Sequence, residues 1–334
     1  MNWHEEIFEV RGADGLMRRG IISLPERRAT DVAIVLLPAG LKDRVGPHRL
    51  YVRFARFFAS HGVTVLRMDA LGVGESDGEF SVAFNGAHYR RIQSGLFVGD
   101  AQLAMNELTE KYTIQKFILA GLCGGAITAQ LTAAVESARV AGVLSFSHVA
   151  VLDEEGPAAL RTRSEVLSNS RAYVKKISSL DAWKRVLLGE SSLRSIISTI
   201  SGLAYLLLER AGLARLRWAN ENPQFFSSFR FLQHAHIPHK MIFAGRDARW
   251  TAFRELVVDG FLDKKLSGKG YDISVIAESN HEFYLSQWTQ ELIQLSFEWV
   301  GAVVNLQHAF DSAHDSSTRS IRGVVAGPEK ESAQ

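Results

Sequence analysis

Three side chains of the types that carry out acyl transfer occur in the order cysteine, aspartate, histidine: Cys123, Asp247 and His281. Cys123 is the sole cysteine of the 334 residues and sits at the centre of Gly121-Leu122-Cys123-Gly124-Gly125. An apolar run (Phe117 to Ala120) precedes this pentapeptide, and a helix-forming stretch (Ala126 to Val135) follows it. Strand, glycine-flanked turn and helix form the setting of a nucleophile elbow, G-x-S-x-G, here with a thiol in place of the hydroxyl. Such a turn is strained, and glycines let the neighbouring strand and helix approach its backbone. A thiol at a helix N-terminus and near an imidazolium can rest as the thiolate, which makes it a ready nucleophile. The competing reading of a lone cysteine is a small buried core residue.

The partners of such a nucleophile stand at strand ends. Asp247 follows the apolar run Met241 to Ala244 and the pair Gly245-Arg246; His281 follows Ile273 to Ile276 and Ala277-Glu278-Ser279-Asn280. His281 is therefore the expected base, with Asp247 orienting its ring. The oxyanion formed on attack needs backbone donors. Gly124 N–H, directly after the nucleophile, is one. The turn Pro38-Ala39-Gly40-Leu41 after the run Ile34 to Leu37 supplies the other, Leu41 in preference to Gly40. Asp153, Glu154 and Glu155 lie past another strand and are the rival acids, ranked below Asp247. His148 lies near the same strand end and is a candidate for the pocket wall. Asp69, with Gly72, Gly74, Ser76 and Gly78, is read as the organiser of a turn.

These positions require a scaffold of alternating strands and helices. Short apolar and β-branched runs recur at Gly20 to Leu24, Val32 to Leu37, Val63 to Met68, Lys116 to Leu122, Val140 to Phe146, Lys240 to Ala244 and Asp272 to Ile276. Several are continuously apolar, as strands covered on both faces must be. Between them, Val98, Ala101, Met105, Leu108 and Tyr112 recur at helical spacing, as do Leu285, Trp288, Leu292, Leu295, Trp299 and Val303. The alternation predicts a mainly parallel sheet with helices on both faces, and Asp14-Gly15 joins opening strands that form an antiparallel edge.

The pattern breaks at residues 149–234, which are rich in Ser, Arg and Leu. We read this stretch as a helical cap inserted into a catalytic domain of residues 1–148 and 235–306, with 307–334 a disordered tail. Leu193, Ile196, Ile197, Ile200 and Leu203, flanked by Arg194 and Arg210, suit either a lid over an acyl chain that touches a membrane surface or packing of the cap on its domain. The 38 basic and 36 acidic residues give a net charge of +2, which offers nucleic acid no strong attraction. A lone cysteine forms no internal disulfide, no signal-peptide pattern opens the chain, and no apolar run is long enough to span a bilayer. A cytoplasmic location is the resulting expectation. No cofactor and no metal is called for.

The order of elements, the G-x-C-x-G pentapeptide and the placement of Asp247 and His281 resemble the α/β-hydrolase superfamily over roughly residues 5–305. More narrowly, Arg44-Val45-Gly46-Pro47-His48-Arg49, then Phe54-Ala55-Arg56 and Val65-Leu66-Arg67-Met68-Asp69, are similar to the exosortase-associated hydrolases of the PEP-CTERM system. Those proteins carry an R-V-G-S-H-R segment, an L-R-F-D strand end and a cysteine elbow; here Pro47 replaces the usual serine. Dienelactone hydrolases and polyhydroxyalkanoate synthases are more distant relatives with a Cys, Asp and His set. The resemblance implies the α/β-hydrolase fold and acyl chemistry on a small-molecule or carrier-bound substrate, without naming the substrate.

The Arg44–Arg49 segment follows the oxyanion turn and is expected at the pocket rim. Arg44, His48 and Arg49 suit an anionic group such as a carboxylate or a carrier phosphopantetheine. Alternatively, Arg44 braces the loop and His48 caps the next helix. Three functions thus stand: a hydrolase of an ester or thioester through an acyl-cysteine intermediate, an acyltransferase passing the same acyl group to an amine, alcohol or thiol, and a non-catalytic interaction protein with a degenerate elbow.

Overall fold

The computed structural model describes residues 2–79, 86–153, 221–259 and 270–304. Its centre is an eight-stranded sheet in the order β1-β2-β4-β3-β5-β6-β7-β8. The strands are β1 (Trp3–Arg11), β2 (Met17–Pro25), β3 (Val32–Leu37), β4 (Thr64–Met68), β5 (Lys116–Leu122), β6 (Val140–Phe146), β7 (His239–Ala244) and β8 (Tyr271–Ile276). The β1–β2 hairpin pairs antiparallel through Asp14-Gly15 and joins β4 antiparallel, while β4, β3, β5, β6, β7 and β8 run parallel. The hairpin edge expected from the turn dipeptide is present.

Alternation along the central strands divides the core into two layers. Ile34 and Leu36 of β3 and Ile118 and Ala120 of β5 enter one cluster with Leu50, Phe54 and Phe58 of α1 (Leu50–Ser60). Leu292, Phe297 and Val300 of the C-terminal helix join the same cluster. Ala33, Val35 and Leu37 of β3 and Phe117 and Leu119 of β5 enter the other. There they meet Ala101, Met105 and Leu108 of α3 (Val98–Tyr112) and Ala129 and Ala133 of α4 (Gly124–Val135). Strands covered on both faces have no polar side to show, which is why their sequence is continuously apolar. The short helix α2 (Gly86–Gln93) stands beside α4.

Of the stretch expected as a cap, residues 154–220 lie outside the described residues. Its last part is α5 (Pro223–His234), capped by Asn222 Oδ1, which accepts Gln224 N–H at 3.0 Å. This helix packs along α4: Gln130 Nε2 donates to Phe225 O and Ser228 Oγ, and Phe225 and Phe229 are buried. Two more α-helices follow, α6 (Ala248–Phe253) after β7, continued by a π-helical turn over Arg254–Val258, and α7 (Ser286–Val303) after β8. In α7 the buried stripe runs through Thr289, Leu292, Ile293, Ser296, Phe297 and Val300. Trp288, Leu295 and Trp299 flank it, and Leu285 is exposed. The predicted stripe is therefore rotated by part of a turn, with Trp299 lying over Gly142 of β6 at its margin. The tail beyond residue 304 lies outside the described residues.

Candidate active site

Parallel strands deliver their C-terminal ends to one edge of the sheet, where α/β folds bind ligands. Cys123 follows β5, Asp247 follows β7 and His281 follows β8, so the three approach from the same edge. From β5 to β8 is three strand spacings, roughly 14 Å, so loops must close the gap. Gly245 N–H donates to Ile276 O at 2.9 Å and Arg246 N–H to Ser279 O at 3.0 Å, which ties the acid loop to the histidine loop.

Cys123 has φ 54° and ψ −109°, a conformation that a residue with a Cβ rarely adopts. The strain is held by close packing on both sides. A Cβ on Gly125 would lie 2.5 Å from Leu37 O, and one on Gly121 would lie 2.5 Å from the Gly125 carbonyl carbon. Tyr51 pins the turn from below: its hydroxyl donates to Leu37 O at 2.9 Å and accepts Leu122 N–H at 2.8 Å, and the ring is wholly buried. One side chain thus joins the end of β3 to the residue before the nucleophile.

The charge-bearing contacts run in a chain. Asp247 Oδ2 is 2.5 Å from His281 Nδ1, and Asp247 Oδ1 accepts Arg249 N–H at 3.0 Å. The His281 ring in turn stands near Cys123, and the charges of the two act on each other. Burial opposes charge on His281, but the hydrogen bond to Asp247 and the charges of Asp247 and Cys123 outweigh it and push the imidazole up to about 9. Burial likewise opposes ionisation of the Cys123 thiol, yet His281 and the Arg249 guanidinium pull it below the ordinary thiol range. For Asp247, burial is outweighed by His281, and the carboxyl is held below its usual value. The resting state this favours is thiolate, imidazolium and carboxylate.

Arg249 had no signal in the sequence. It is the second residue of α6, directly beyond the cap residue Asp247, and its Nη1 donates to Cys123 Sγ at 2.7 Å and lies 3.2 Å from His281 Nε2. It also borders a small pocket walled by Val149, Val151, Phe253 and Leu256, with Asp153 at its side.

At the oxyanion turn, Gly40 N–H is already donated to Pro38 O at 2.8 Å. Among the described residues, Leu41 N–H and Gly124 N–H have no such acceptor. A Cβ on Gly124 would lie 3.0 Å from Gly40 N, so the two turns are in contact.

The other expected residues are distributed differently. Arg44 pairs with the carboxylate of Asp69, which is fully buried and also accepts Arg44 N–H and Glu75 N–H. Arg44 is thus the brace of its loop, and Asp69 organises the turn as expected. His48 does not cap α1: the N-cap position is Arg49, with no side-chain cap. Instead His48 Nε2 is 3.1 Å from Glu282 Oε2, and its ring lies 5.5 Å from that of Tyr284. Lys42 also pairs with Glu282, so the oxyanion loop is tied to the residue next to His281. Arg49 is exposed, with φ 61°.

His148 is corrected. It is buried, with Nε2 2.9 Å from Gln130 Oε1 and its ring edge-on to Phe225, and it does not border the pocket. Burial pushes its pKa down to about 3, so it is a neutral core residue. Asp153 Oδ2 accepts from Gln93 Nε2 at 3.0 Å, its N–H is given to Gln93 Oε1, and no hydrogen bond joins it to His281. Glu154 and Glu155 lie outside the described residues. No group of three or more His, Cys, Asp or Glu that could hold a metal ion occurs among the described residues. Nor is any described helix long and apolar enough to cross a membrane.

Sheet order, elbow and site edge together define the α/β-hydrolase fold. The family model for serine aminopeptidase, S33, matches residues 30–191, a span that contains the elbow. Solved structures agree on the fold. An esterase of Pyrococcus furiosus superposes with a TM-score of 0.54 at 12% identity, covering 90% of this chain and 92% of the esterase. A cold-adapted esterase from an Arctic intertidal metagenomic library gives 0.51 at 12%, covering 91% and 95%. Dienelactone hydrolase from Anabaena variabilis gives 0.51 at 14%, covering 90% and 99%. No curated protein matches the sequence.

Proposed function

We propose that this protein is an acyl-transfer enzyme, most simply a hydrolase of an ester or thioester that works through an acyl group on Cys123. The observation that carries the reading is the convergence of Cys123, on its strained turn, with the bonded pair Asp247–His281 at the ligand-binding edge of an α/β-hydrolase fold, Arg249 lying against both Cys123 and His281. The apolar side chains Val149, Val151, Phe253 and Leu256 beside Arg249 offer an acyl chain a surface to lie against. The esterases and the dienelactone hydrolase that share the fold make the chemistry a natural one for it, and the Arg44–Arg49 segment keeps the likeness to exosortase-associated hydrolases.

In the first half-reaction the Cys123 thiolate attacks the acyl carbon, and Gly124 N–H and Leu41 N–H hold the oxyanion. His281 Nε2 gives its proton to the departing alcohol or thiol. In the second half, neutral His281 takes a proton from water, the hydroxide adds to the thioester, and the Cys123 thiolate is expelled. A better nucleophile than water in the same position would make the reaction a transfer.

The test is incubation of the protein with an activated acyl donor such as a p-nitrophenyl ester, followed by mass spectrometry of the quenched protein. An added acyl mass on the Cys123 peptide, absent from Cys123→Ala, is the expected result. Wild-type protein that never acquires the mass, with no turnover of donor, overturns the proposal. Repeating the turnover with amine, alcohol and thiol acceptors separates hydrolysis from transfer.

A further inference from the structure

A cysteine–histidine pair normally ionises as a unit: lose the imidazolium and the thiolate is lost with it. Here the sulfur has a second cationic neighbour. Arg249 Nη1 donates to Sγ at 2.7 Å, and the first turn of α6 fixes its approach through the bond from Arg249 N–H to Asp247 Oδ1. Among the described residues, the titratable and charged groups around the thiol are Tyr51 of α1, Tyr89 of α2, Asp153 beyond β6, Arg249 at the start of α6 and His281 beyond β8, with Asp247 bonded to the far side of His281. Among these, His281 and Arg249 bring positive charge to the sulfur, and a guanidinium does not titrate in the working range.

We propose that Arg249 is a catalytic residue, a permanent counter-ion of the Cys123 thiolate, and that it directs the enzyme to acyl donors with weakly basic leaving groups, thioesters above all. The inference rests on the acyl-cysteine reading given above. In the tetrahedral adduct two heteroatoms compete to depart, and the less basic one leaves faster. A sulfur stabilised by Arg249 returns readily when its rival is the alkoxide of an alkyl ester, so the adduct reverts. When the rival is an ordinary thiolate, with a thiol pKa of about 8.5, the two compete closely. The substrate C–S bond then breaks, the bond to Cys123 Sγ is kept, and the His281 proton goes to the departing sulfur. During deacylation water adds to the acyl carbon, His281 takes its proton, and Cys123 leaves as the thiolate beside Arg249. The sum is thioester plus water giving acid plus thiol.

The experiment uses the full chain in two parts. Iodoacetamide alkylation of Cys123 is followed against pH in wild type, Arg249→Met, Arg249→Lys and His281→Asn. In parallel, kcat/KM is measured for an alkyl butyryl thioester and the corresponding alkyl butyrate ester. The expected results are a thiol midpoint at least about one pH unit higher in Arg249→Met, partial return in Arg249→Lys, and a midpoint still below the ordinary thiol value in His281→Asn. The thioester-over-ester preference should fall about tenfold in Arg249→Met. An unchanged midpoint in Arg249→Met, or one in His281→Asn that rises to that of a free thiol, overturns the proposal. Should Arg249→Met not fold, the His281→Asn titration alone decides the matter. Failure of wild type to form any acyl-Cys123 rejects the enzymatic reading instead, and leaves the titration to report on the Arg249–Cys123 contact.

Discussion

Asp247 and Arg249 stand two residues apart and lie at opposite ends of the same imidazole. Asp247 Oδ2 meets His281 Nδ1 at 2.5 Å, whereas Arg249 Nη1 lies 3.2 Å from Nε2 and 2.7 Å from Cys123 Sγ. The start of a single short helix thus supplies both the carboxylate that holds the ring and the cation that faces the sulfur. Helix geometry explains the economy: the cap residue's carboxylate accepts Arg249 N–H, so capping and orientation are one arrangement.

Removal of the nucleophile is the most direct check. Cys123→Ala should lower turnover by on the order of 10^4-fold or more while leaving the thermal midpoint nearly unchanged. Parallel esterase assays and thermal melts measure both quantities.

The pH profile follows from the two shifted groups. Cys123 is held below the ordinary thiol range, so acylation should already be high at neutral pH. His281 is raised to about 9, so activity that needs its proton should fall as pH rises through that value. Asp247→Asn removes the partner that raises His281, and should move the alkaline limb to lower pH and reduce kcat by about 10^2- to 10^4-fold. If Asp247→Asn is silent and Asp153→Asn is severe, the acid is Asp153.

Tyr51→Phe probes the support of the elbow. The hydroxyl is the shared partner of Leu37 O and Leu122 N–H, and its loss leaves both unpaired in a dry core. Urea unfolding should show a loss of about 1–3 kcal/mol. Because those groups carry the oxyanion turn and the nucleophile, kcat should fall while KM changes little.

His148 predicts an acid limb in stability. In the folded protein it stays neutral down to about pH 3, while in the unfolded chain it takes a proton near 6.5. The unfolded state therefore binds more protons between those values. Stability is at full strength above 6.5, declines as pH falls, and is lost fully below about 3, at up to about 1.4 kcal/mol per pH unit. Urea midpoints measured from pH 7 to 4 should show this slope, flattened in His148→Gln.

Much of the architecture was readable from patterns that local chemistry enforces. A strand buried on both faces has to be apolar throughout, so Val32–Leu37 and Val140–Phe146 announced themselves, and the glycines around Cys123 marked a turn where backbone atoms come within about 2.5 Å of any added Cβ. Strand order then implied that the residues after β5, β7 and β8 share an edge. Side-chain partners were not readable, because burial and contact depend on which elements meet in space. The loop before the last helix favoured His281 as the base, but nothing local told that His148 would be sealed among Gln130 and Phe225 and not line the pocket. Nor does sequence tell whether Arg44 faces a ligand or Asp69, or that Arg249 turns back onto the sulfur. A polar side chain takes the nearest partner that restores its lost hydration, and only the packed structure decides which partner that is.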